Sequence, residues 1–409
     1  MTKYDLIVVG GGACGIASAL SGAYNNKKVL LIEKLPNLAT KLKASGGGRC
    51  NLTNTLQNDE FIKKFDKNAR FIQDVIKEFD HKKLIDFFKN IGVETHAPDG
   101  FRVFPTSHSS LTIVNALKNE LSKQNVKVLT STKVVDILQQ NNQIIGVKTL
   151  CENFFSNHIV FATGGLGYPT MGSNGDGHKI LQQHNHTLTK LYPAMMPLKV
   201  KESWVEFCKA DTIPKVTMRV DIKKYKKLTA KGDLIFTKNG IRGPVVLDFA
   251  REITPLFEKY DEVPILVNLT KGLDEDKIIQ HFKNETKAKN ILELLQTLLP
   301  KSVAVEMLKL LNISQTTTLK KLDGSLKQQL IKILAWTPLH VTGHDGFKMA
   351  MVTRGGVSLK NIDPKTMQSK LIKGLYFCGE LVDIDGPCGG YNLQWAFASG
   401  YIAGKGKLC

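Results

Sequence analysis

The sequence has no apolar run long enough to span a membrane, and its cysteines show no pattern of a metal site. The seven cysteines form no Cys-x-x-Cys pair and no Cys/His cluster with zinc spacing. We therefore expect free thiols in a reducing compartment and no structural metal. No signal peptide precedes the first apolar segment, so we expect a cytoplasmic protein with no membrane partner.

Composition bounds the size and class of the protein. With 409 residues, 42% of them hydrophobic and 23% charged, the chain is long enough for about two or three domains of a soluble globular protein. The formal net charge of +19 is unusual for an enzyme that acts on small molecules. Such an excess indicates either a lysine-rich proteome or a polyanionic partner, and the sequence alone leaves both open.

Residues 4–33 have the pattern of a nucleotide-binding βαβ unit. The apolar run Tyr4–Val9 predicts a buried strand, the following glycines predict a tight turn into a helix, and a second apolar run ends at Glu33. Gly10 allows the turn, Gly12 lets the backbone approach a pyrophosphate, and Gly15 lets the helix pack on the strand. The helix N-terminus offers N–H groups to the phosphates, and the acid, about twenty residues later, can bind ribose hydroxyls.

Three later segments suit the same site. A glycine-rich stretch at 44–54 is expected to wrap closely around a ligand. A strand that ends at 163–165 is expected to present its backbone at the edge of the sheet. A strand, a loop and a helix at 374–403 are expected to lie at the same edge. No acid lies about twenty residues after 163–165, so we expect one dinucleotide site and not two. The residues predicted to contact the dinucleotide are Gly10, Gly12, Ala13, Gly15, Glu33, Lys34, Ser45, Gly46, Gly47, Arg49, Cys50, Asn51, Val134, Thr163, Gly164, Gly165, Gly379, Glu380, Asp383, Gly389, Gly390, Tyr391, Asn392 and Leu393.

The middle of the chain has the pattern of an insertion. Helical spacing predicts two amphipathic helices at 61–90, and turn residues predict a hairpin at 94–104. Between about 187 and 338, short strands are followed by a helical region, after which the nucleotide-binding pattern resumes. We therefore expect a discontinuous Rossmann-type domain at 1–188 and 340–409, a β-barrel-like insertion at 189–268 and a helical insertion at 269–339.

Two long motifs resemble one family. The segment Lys43–Asn51 and the segment from Gly379 to Ala396 are similar to motifs of the BaiN/YhiN family of bacterial flavoproteins, and the resemblance covers nearly the whole chain. It implies an α/β fold with a glutathione-reductase-like Rossmann site for FAD, split by barrel-like and helical insertions. It also implies an FAD-dependent oxidoreductase with non-covalent FAD and with NAD(P)H as the electron donor.

The family resemblance also implies a type of reaction. Members are linked to reduction of unsaturated bile-acid intermediates and to dihydrouridine formation in ribosomal RNA. Each substrate has a carbon–carbon double bond conjugated to a carbonyl, which a hydride from reduced flavin would attack while an acid protonates the neighbouring carbon. The candidate proton donors are Cys50, Cys388, Tyr391 and His108; for the two cysteines, packing in a glycine-rich loop is the alternative role.

Three functions of different class stay open. The first is a flavin-dependent reductase of ribosomal RNA or another large anionic substrate, bound through the lysine-rich insertion at Lys223, Lys224, Lys226, Lys227 and Lys231. The second is a small-molecule NAD(P)H/FAD oxidoreductase for a steroid, amine or ketone. The third is a non-catalytic flavin-binding protein. The net charge and the family resemblance together favour the first.

The glycine turn and its acid predict the identity of the cofactor. Because they form a site for an adenosine pyrophosphate, the purified protein should be yellow and carry non-covalent FAD rather than FMN. Acid or heat should release the flavin, and chromatography of the supernatant identifies it. Release of FMN alone, or of no flavin, would contradict the predicted site.

Overall fold

The computed structural model describes residues 3–285 and 288–406. Residues 1–2, 286–287 and 407–409, which the predicted domains include, lie outside the described residues. The chain divides into two compact units. The first contains the described residues up to Tyr192 and from Val352 onward, and the second is Pro193–Met351.

The strands of the described residues are numbered in chain order. They are β1 (Leu6–Val9), β2 (Val29–Ile32), β3 (Thr53–Asn54), β4 (Thr95–His96), β5 (Arg102–Pro105), β6 (Lys127–Leu129), β7 (Val134–Gln140), β8 (Gln143–Thr149), β9 (Asn153–Phe155), β10 (Ile159–Phe161), β11 (Tyr192–Ala194), β12 (Leu198–Val200), β13 (Thr212–Val220), β14 (Thr229–Thr237), β15 (Gly240–Arg242), β16 (Val263–Asn268), β17 (Thr337–Gly343), β18 (Val352–Arg354) and β19 (Leu375–Phe377).

The α-helices are numbered in the same way. They are α1 (Ala13–Tyr24), α2 (Thr40–Ala44), α3 (Asn58–Lys63), α4 (Ala69–Glu78), α5 (His81–Asn90), α6 (Ser110–Lys123), α7 (Asp176–Gln183), α8 (Pro244–Ile253), α9 (Glu275–Asn284), α10 (Ile291–Gln296), α11 (Lys301–Leu310), α12 (Gly324–Ala335) and α13 (Tyr391–Lys405). Among the described residues, none of these helices has the length and apolar character needed to cross a membrane.

A parallel sheet with the strand order β19-β10-β1-β2-β6 is the centre of the first unit. Every residue of β1, β2, β10 and β19 is buried, as expected for parallel strands covered on both faces by helices. The carboxyl ends of β1, β10 and β19 therefore lie side by side at one edge. This sheet confirms the predicted Rossmann-type α/β fold.

The first and last helices, α1 and α13, pack against each other at backbone distance. A Cβ added to Gly400 would overlap the backbone of Cys14, and one added to Gly404 would overlap that of Ser18. Ser18 Oγ donates to the Gly400 carbonyl at 2.8 Å and to the Cys14 carbonyl at 2.9 Å. Small residues on both helices thus bring the two ends of the chain together on one sheet.

Two three-stranded antiparallel sheets also belong to the first unit. The order β3-β5-β4 includes the hairpin predicted at 94–104, which pairs His96 with Phe104, and the other sheet has the order β7-β8-β9. The region predicted as two helices forms three, α3, α4 and α5. One break is explained by Asp80, whose side chain accepts from the Lys83 N–H at 3.0 Å and so begins α5.

The second unit has a hydrophobic core of its own around a closed barrel. The barrel order is β12-β15-β14-β13-β16-β17, and helices α8 to α12 belong to the same unit. Strand β17 completes the barrel by pairing with β16 and β12. The sequence pattern places its residues partly in the helical insertion and partly in the resumed Rossmann domain. The division into three domains therefore stays a prediction, while the barrel itself is observed.

The tight packing of α1 on α13 generates a stability prediction. Replacing Gly400 with Ala forces a methyl group into the Cys14 backbone, so the free energy of unfolding should fall by about 1–3 kcal/mol. Gly324→Ala is the matched control, because no atom lies within 4 Å of its Cβ position at the start of α12. Urea unfolding of the two variants compares them; equal stability of Gly400→Ala and wild type would contradict the close contact.

Candidate functional site

The glycine turn after β1 leaves room for a ligand at the start of α1. Gly10 has a φ of +107°, and a Cβ there would press on the Ala162 carbonyl at the end of β10. A Cβ on Gly15 would overlap the carbonyl of Gly10, so the helix lies directly on the turn. By contrast, no atom lies within 4 Å of the Cβ position of Gly12, which directly precedes α1, and Ala13, the first residue of α1, is partly exposed. The space and the free N–H groups of a helix start suit a phosphate.

Glu33, directly after β2, is held in place by backbone groups. Its Oε2 accepts from the Gly11 N–H at 2.6 Å, and its Oε1 accepts from the Leu35 N–H at 2.8 Å. Each carboxylate oxygen has two lone pairs, so both retain one acceptor site for a ribose hydroxyl. Besides its predicted contact with the ribose, Glu33 thus fixes the glycine turn through the Gly11 N–H, a role that the motif did not predict.

Lys34 and Val134 lie at the same end of the sheet as Glu33. Lys34 Nζ forms an ion pair with Asp176 at 2.9 Å, and Lys133 shares that carboxylate at 3.2 Å. Val134 follows Lys133 directly and is buried at the start of β7. The Lys34 ammonium is therefore partly neutralised by a carboxylate, and its contact with the dinucleotide stays a prediction.

The loop after β10 meets the segment after β19 through a network that the sequence did not reveal. Thr353 Oγ1 accepts from the Leu166 and Gly167 N–H groups at 2.7 and 3.2 Å. The Thr353 N–H donates to Glu380 Oε1 at 2.8 Å, and Lys41 Nζ bonds Glu380 Oε2 at 2.6 Å. Lys41 and Thr353 were not among the predicted site residues, because the partners that give them a role are distant in the sequence.

Glycines in this region allow close approach of backbone segments. A Cβ on Gly165 would lie 2.8 Å from the Glu380 carboxylate, and one on Gly379, with φ of +66°, would lie 2.6 Å from Cys14 Sγ. Gly164 has a φ of +71° and faces Ser173. The predicted residues after β1, β10 and β19 are therefore brought together at one edge of the sheet.

The glycine-rich loop at residues 45–48 has a left-handed backbone over three consecutive glycines. The φ angles of Gly46, Gly47 and Gly48 are +57°, +66° and +84°, and no atom lies within 4 Å of the Cβ positions of the last two. Ser45 Oγ donates to the Leu42 carbonyl at 2.7 Å. The loop is thus fixed at its base and open on its outer side, as predicted for a segment that approaches a ligand.

Cys50 and Tyr391, two of the predicted proton donors, are buried. Cys50 is fully enclosed, and burial raises the pKa of its thiol to about 12. Tyr391 is 3% exposed, and its ring centre lies 4.8 Å from that of Phe61 and 6.0 Å from that of Phe65. A donor must reach the substrate, so this packing argues against a catalytic role for either residue.

The other two candidate donors are accessible. Cys388 is half-buried in the loop that precedes α13. His108 is exposed, and the centre of its ring lies 4.6 Å from the centre of the His96 ring. Asp383, in the segment before that loop, is partly buried, and burial raises the pKa of its carboxyl. Burial thus narrows the candidate proton donors from four residues to Cys388 and His108.

The turn before α13 is tied to the residues around β3. Gly389 and Gly390 have φ angles of +114° and +87°, and a Cβ on Gly390 would overlap the Thr53 backbone. Asn54 Nδ2 donates to the Gly389 carbonyl at 2.8 Å. The Asn51 side-chain amide is oriented so that its oxygen accepts from the Gly390 N–H at 3.1 Å. The residues around β3 thus fix the backbone that leads into α13.

Asn392 and Leu393 have structural contacts in the first turn of α13. Asn392 bridges the Gly386 N–H and carbonyl at 2.8 and 2.9 Å, and Leu393 packs against the core. Their side chains therefore shape the loop before the helix. Their contacts with the dinucleotide stay predictions.

The residues of this edge fit a bound dinucleotide. Gly12 leaves space for phosphate, and Glu33 keeps acceptor sites for a ribose. Thr163 Oγ1 is buried and has no hydrogen-bond partner among the described residues. The Thr163 side chain lies against Gly177 in the first turn of α7, so this hydroxyl is not among the groups open to the dinucleotide. A parallel sheet with such an edge, built from both ends of the chain, is that of a Rossmann-type dinucleotide-binding protein.

The chain belongs to the family described as HI0933-like protein Rossmann domain, whose model matches residues 4–406. This match confirms the family resemblance seen in the motifs. The protein is accordingly an enzyme of the flavin oxidoreductases, and a non-catalytic role is not retained.

Similar proteins of known name support this assignment. The chain is 30% identical over 405 residues to a 3-dehydro-bile acid delta(4,6)-reductase of Clostridium scindens, with 97% of each chain covered. It is 29% identical over 411 residues to a ribosomal RNA dihydrouridine synthase of Escherichia coli, with 99% of this chain and 98% of the other covered. The fold is similar to that of a 3-ketosteroid delta1-dehydrogenase from Sterolibacterium denitrificans, with a TM-score of 0.55, 12% identity and 99% of each chain covered.

Glu33 provides a direct test of the dinucleotide site. Glu33→Ala removes charge-assisted hydrogen bonds to the ribose and the support of the Gly11 N–H, so FAD affinity should fall by about 1–3 kcal/mol. Titration of the apoprotein with FAD, followed by flavin fluorescence, measures this. Glu152→Ala is the matched control, since Glu152 is exposed beside β9, and it should bind FAD as wild type does. Unchanged FAD affinity of Glu33→Ala would remove Glu33 from the site.

Proposed function

We propose that the protein reduces a carbonyl-conjugated carbon–carbon double bond, and that its substrate is uridine in ribosomal RNA, which becomes dihydrouridine. The observation that carries the choice of RNA is a lysine patch on the second unit, formed by Lys223, Lys224, Lys226, Lys227 and Lys231. All five side chains are exposed, and none forms an ion pair with a described residue. The overall charge of +19 has the same sign.

The reaction type is supported by two relatives of different substrate. One is named as a reductase of a bile acid and the other as a synthase of dihydrouridine. Both names describe the saturation of a carbon–carbon double bond. FAD that NAD(P)H has reduced would supply the hydride for the β carbon of the conjugated double bond. This chain must then hold the substrate in place and deliver a proton to the α carbon.

Cys388 is the proton donor that we propose. It is half-buried in the loop before Gly389 and Gly390, at the edge where both ends of the chain meet. An ordinary thiol has a pKa of about 8.5 and is protonated at neutral pH. Donation leaves a thiolate, which takes a proton back from water. Cys50, which is enclosed, lacks such access.

The lysine patch has the composition of a single-stranded RNA contact. Lys224 Nζ lies 5.7 Å from the ring centre of Tyr225, and the Tyr225 ring lies 6.3 Å from that of Tyr260. Exposed cations bind phosphates, and neighbouring aromatic rings can stack on bases. Both rings are half-buried and also pack against the hydrophobic core of the second unit.

A small unsaturated 3-oxo steroid is the second candidate substrate. The 30% identity to the bile acid reductase favours it, because that relative is covered over 97% of its length. With such a substrate, the lysine patch would have no role in turnover. Neutralising the lysine patch should therefore weaken the binding of an RNA substrate but leave the turnover of a steroid unchanged.

Neutralising the lysine patch tests the choice of RNA. Replacing Lys223, Lys224, Lys226 and Lys227 with Gln should weaken binding of a ribosomal RNA fragment and flatten the dependence of log affinity on log salt by up to about 3, since each phosphate contact contributes roughly 0.7 to 0.9. FAD content should not change, because these residues lie in the second unit. RNA binding and salt dependence equal to those of wild type would favour the steroid candidate.

The reaction itself is tested in cells with and without the gene. Mass spectrometry of digested ribosomal RNA should show a uridine two mass units heavier at a particular position only when the gene is present, because reduction adds two hydrogens. A Cys388→Ser protein should restore less of this product than wild type while retaining FAD. Identical RNA in both strains would exclude ribosomal RNA as the substrate.

A further inference from the structure

A face of the β3-β5-β4 sheet gathers four cationic or titratable side chains around one aromatic ring. Register places His96 opposite Phe104 and Asn54 opposite Arg102, and alternation along β5 puts Arg102 and Phe104 on the same side. The His108 ring lies 4.6 Å from the His96 ring. We call the set Arg49, His96, Arg102 and His108 around Phe104 the arginine–histidine face.

The two arginines of this face differ in their partners. Both lie against the Phe104 ring, with guanidinium carbons 5.3 Å (Arg49) and 5.9 Å (Arg102) from its centre. Arg102 Nε is paired with Asp99 at 2.6 Å, so its charge is already balanced. Arg49 is exposed; besides the ring, its side chain makes a weak hydrogen bond of 3.4 Å to the Gly46 carbonyl, and no described carboxylate pairs with it. Its planar N–H donors are therefore open to a ligand.

A histidine of the same face also lacks a partner. His96 Nε2 is buried and has no hydrogen-bond partner among the described residues. A buried polar nitrogen without a partner is uncommon in folded proteins. When Nε2 carries the ring proton, His96 and the unpaired Arg49 guanidinium both offer hydrogen-bond donors to an oxyanion on this face.

The face adjoins the turn that begins α13. Asn54, on the same side of the sheet, donates to the Gly389 carbonyl at 2.8 Å. The Phe101 ring, next to Arg102, lies 3.1 Å from the Cβ position of Gly389. Gly47 and Gly48, which directly precede Arg49, have open space at their Cβ positions. A ligand on this face would thus lie beside Cys388 and the candidate flavin site.

We infer that the arginine–histidine face binds a phosphodiester of the RNA strand next to the target uridine, with Arg49 as the main contact. This inference rests on the proposed function and assigns the substrate contact nearest to the reaction. Arg49 thereby changes from a predicted cofactor ligand to a substrate ligand. Binding the adjacent phosphate would hold an unstacked uridine in the site, since base-modifying enzymes take the base out of the stack.

Binding of a short, fluorescently labelled oligouridylate to the oxidised holoenzyme tests this inference. Arg49→Met keeps an apolar side chain over Phe104 and removes the charge. Its Kd should rise at least fivefold, and the slope of log Kd against log salt should fall by about 0.7. Lys148→Met, which removes an exposed charge on β8 of the same unit, should stay within about twofold of wild type.

A second oligonucleotide separates charge recognition from structure. In this oligonucleotide the phosphates that flank the central uridine are neutral methylphosphonates. Wild type should bind it more weakly than the ordinary oligonucleotide, whereas Arg49→Met should bind the two with equal affinity. The inference would be overturned if Arg49→Met bound the ordinary oligonucleotide with the Kd of wild type. It would also be overturned if the Kd of Arg49→Met exceeded that of wild type by the same factor on the ordinary and on the methylphosphonate oligonucleotide. Because binding needs no turnover, a dihydrouridine assay that fails while the Arg49 effect persists would contradict the proposed function and leave this site standing.

Discussion

The contact between the first and last helices is the constraint on which the candidate site depends. Gly400 and Gly404 let α13 lie against the backbone of α1, and Ser18 bonds to both helices. This contact places β19 and the loop before α13 at the same sheet edge as the glycine turn after β1. The contact leaves no room for a side chain larger than hydrogen at Gly400, because a Cβ there would overlap the Cys14 backbone.

Much of the Rossmann part was predictable from local sequence. Fully apolar strands, the turn at Gly10 and the acid Glu33 follow from spacing alone, because each feature depends on neighbours within one βαβ unit. The hairpin pairing of His96 with Phe104 was predictable for the same reason. Barrel closure by β17 was not, because its partners β12 and β16 are distant in the sequence and only tertiary pairing distinguishes a strand there from its surroundings.

The candidate site shows the same limit at the level of side chains. Sequence motifs identified Glu380 but not Lys41 or Thr353, whose roles exist only through contacts over long separations. Motifs also could not distinguish Cys50 from Cys388, which both lie in glycine-rich loops; burial separates them. A proton donor is defined by access and pKa; the residue type sets only the reference pKa, while burial and neighbouring groups set the access and the shift.

Hydride transfer from a reduced flavin in this site to uridine in RNA is the central claim about this protein. Its most direct test is anaerobic mixing of the reduced holoenzyme with ribosomal RNA prepared from cells that lack the gene. We expect that the visible absorbance of oxidised flavin returns and that one dihydrouridine forms for each flavin oxidised. If the flavin stays reduced with that RNA but is oxidised by an unsaturated 3-oxo steroid, the claim about RNA is contradicted.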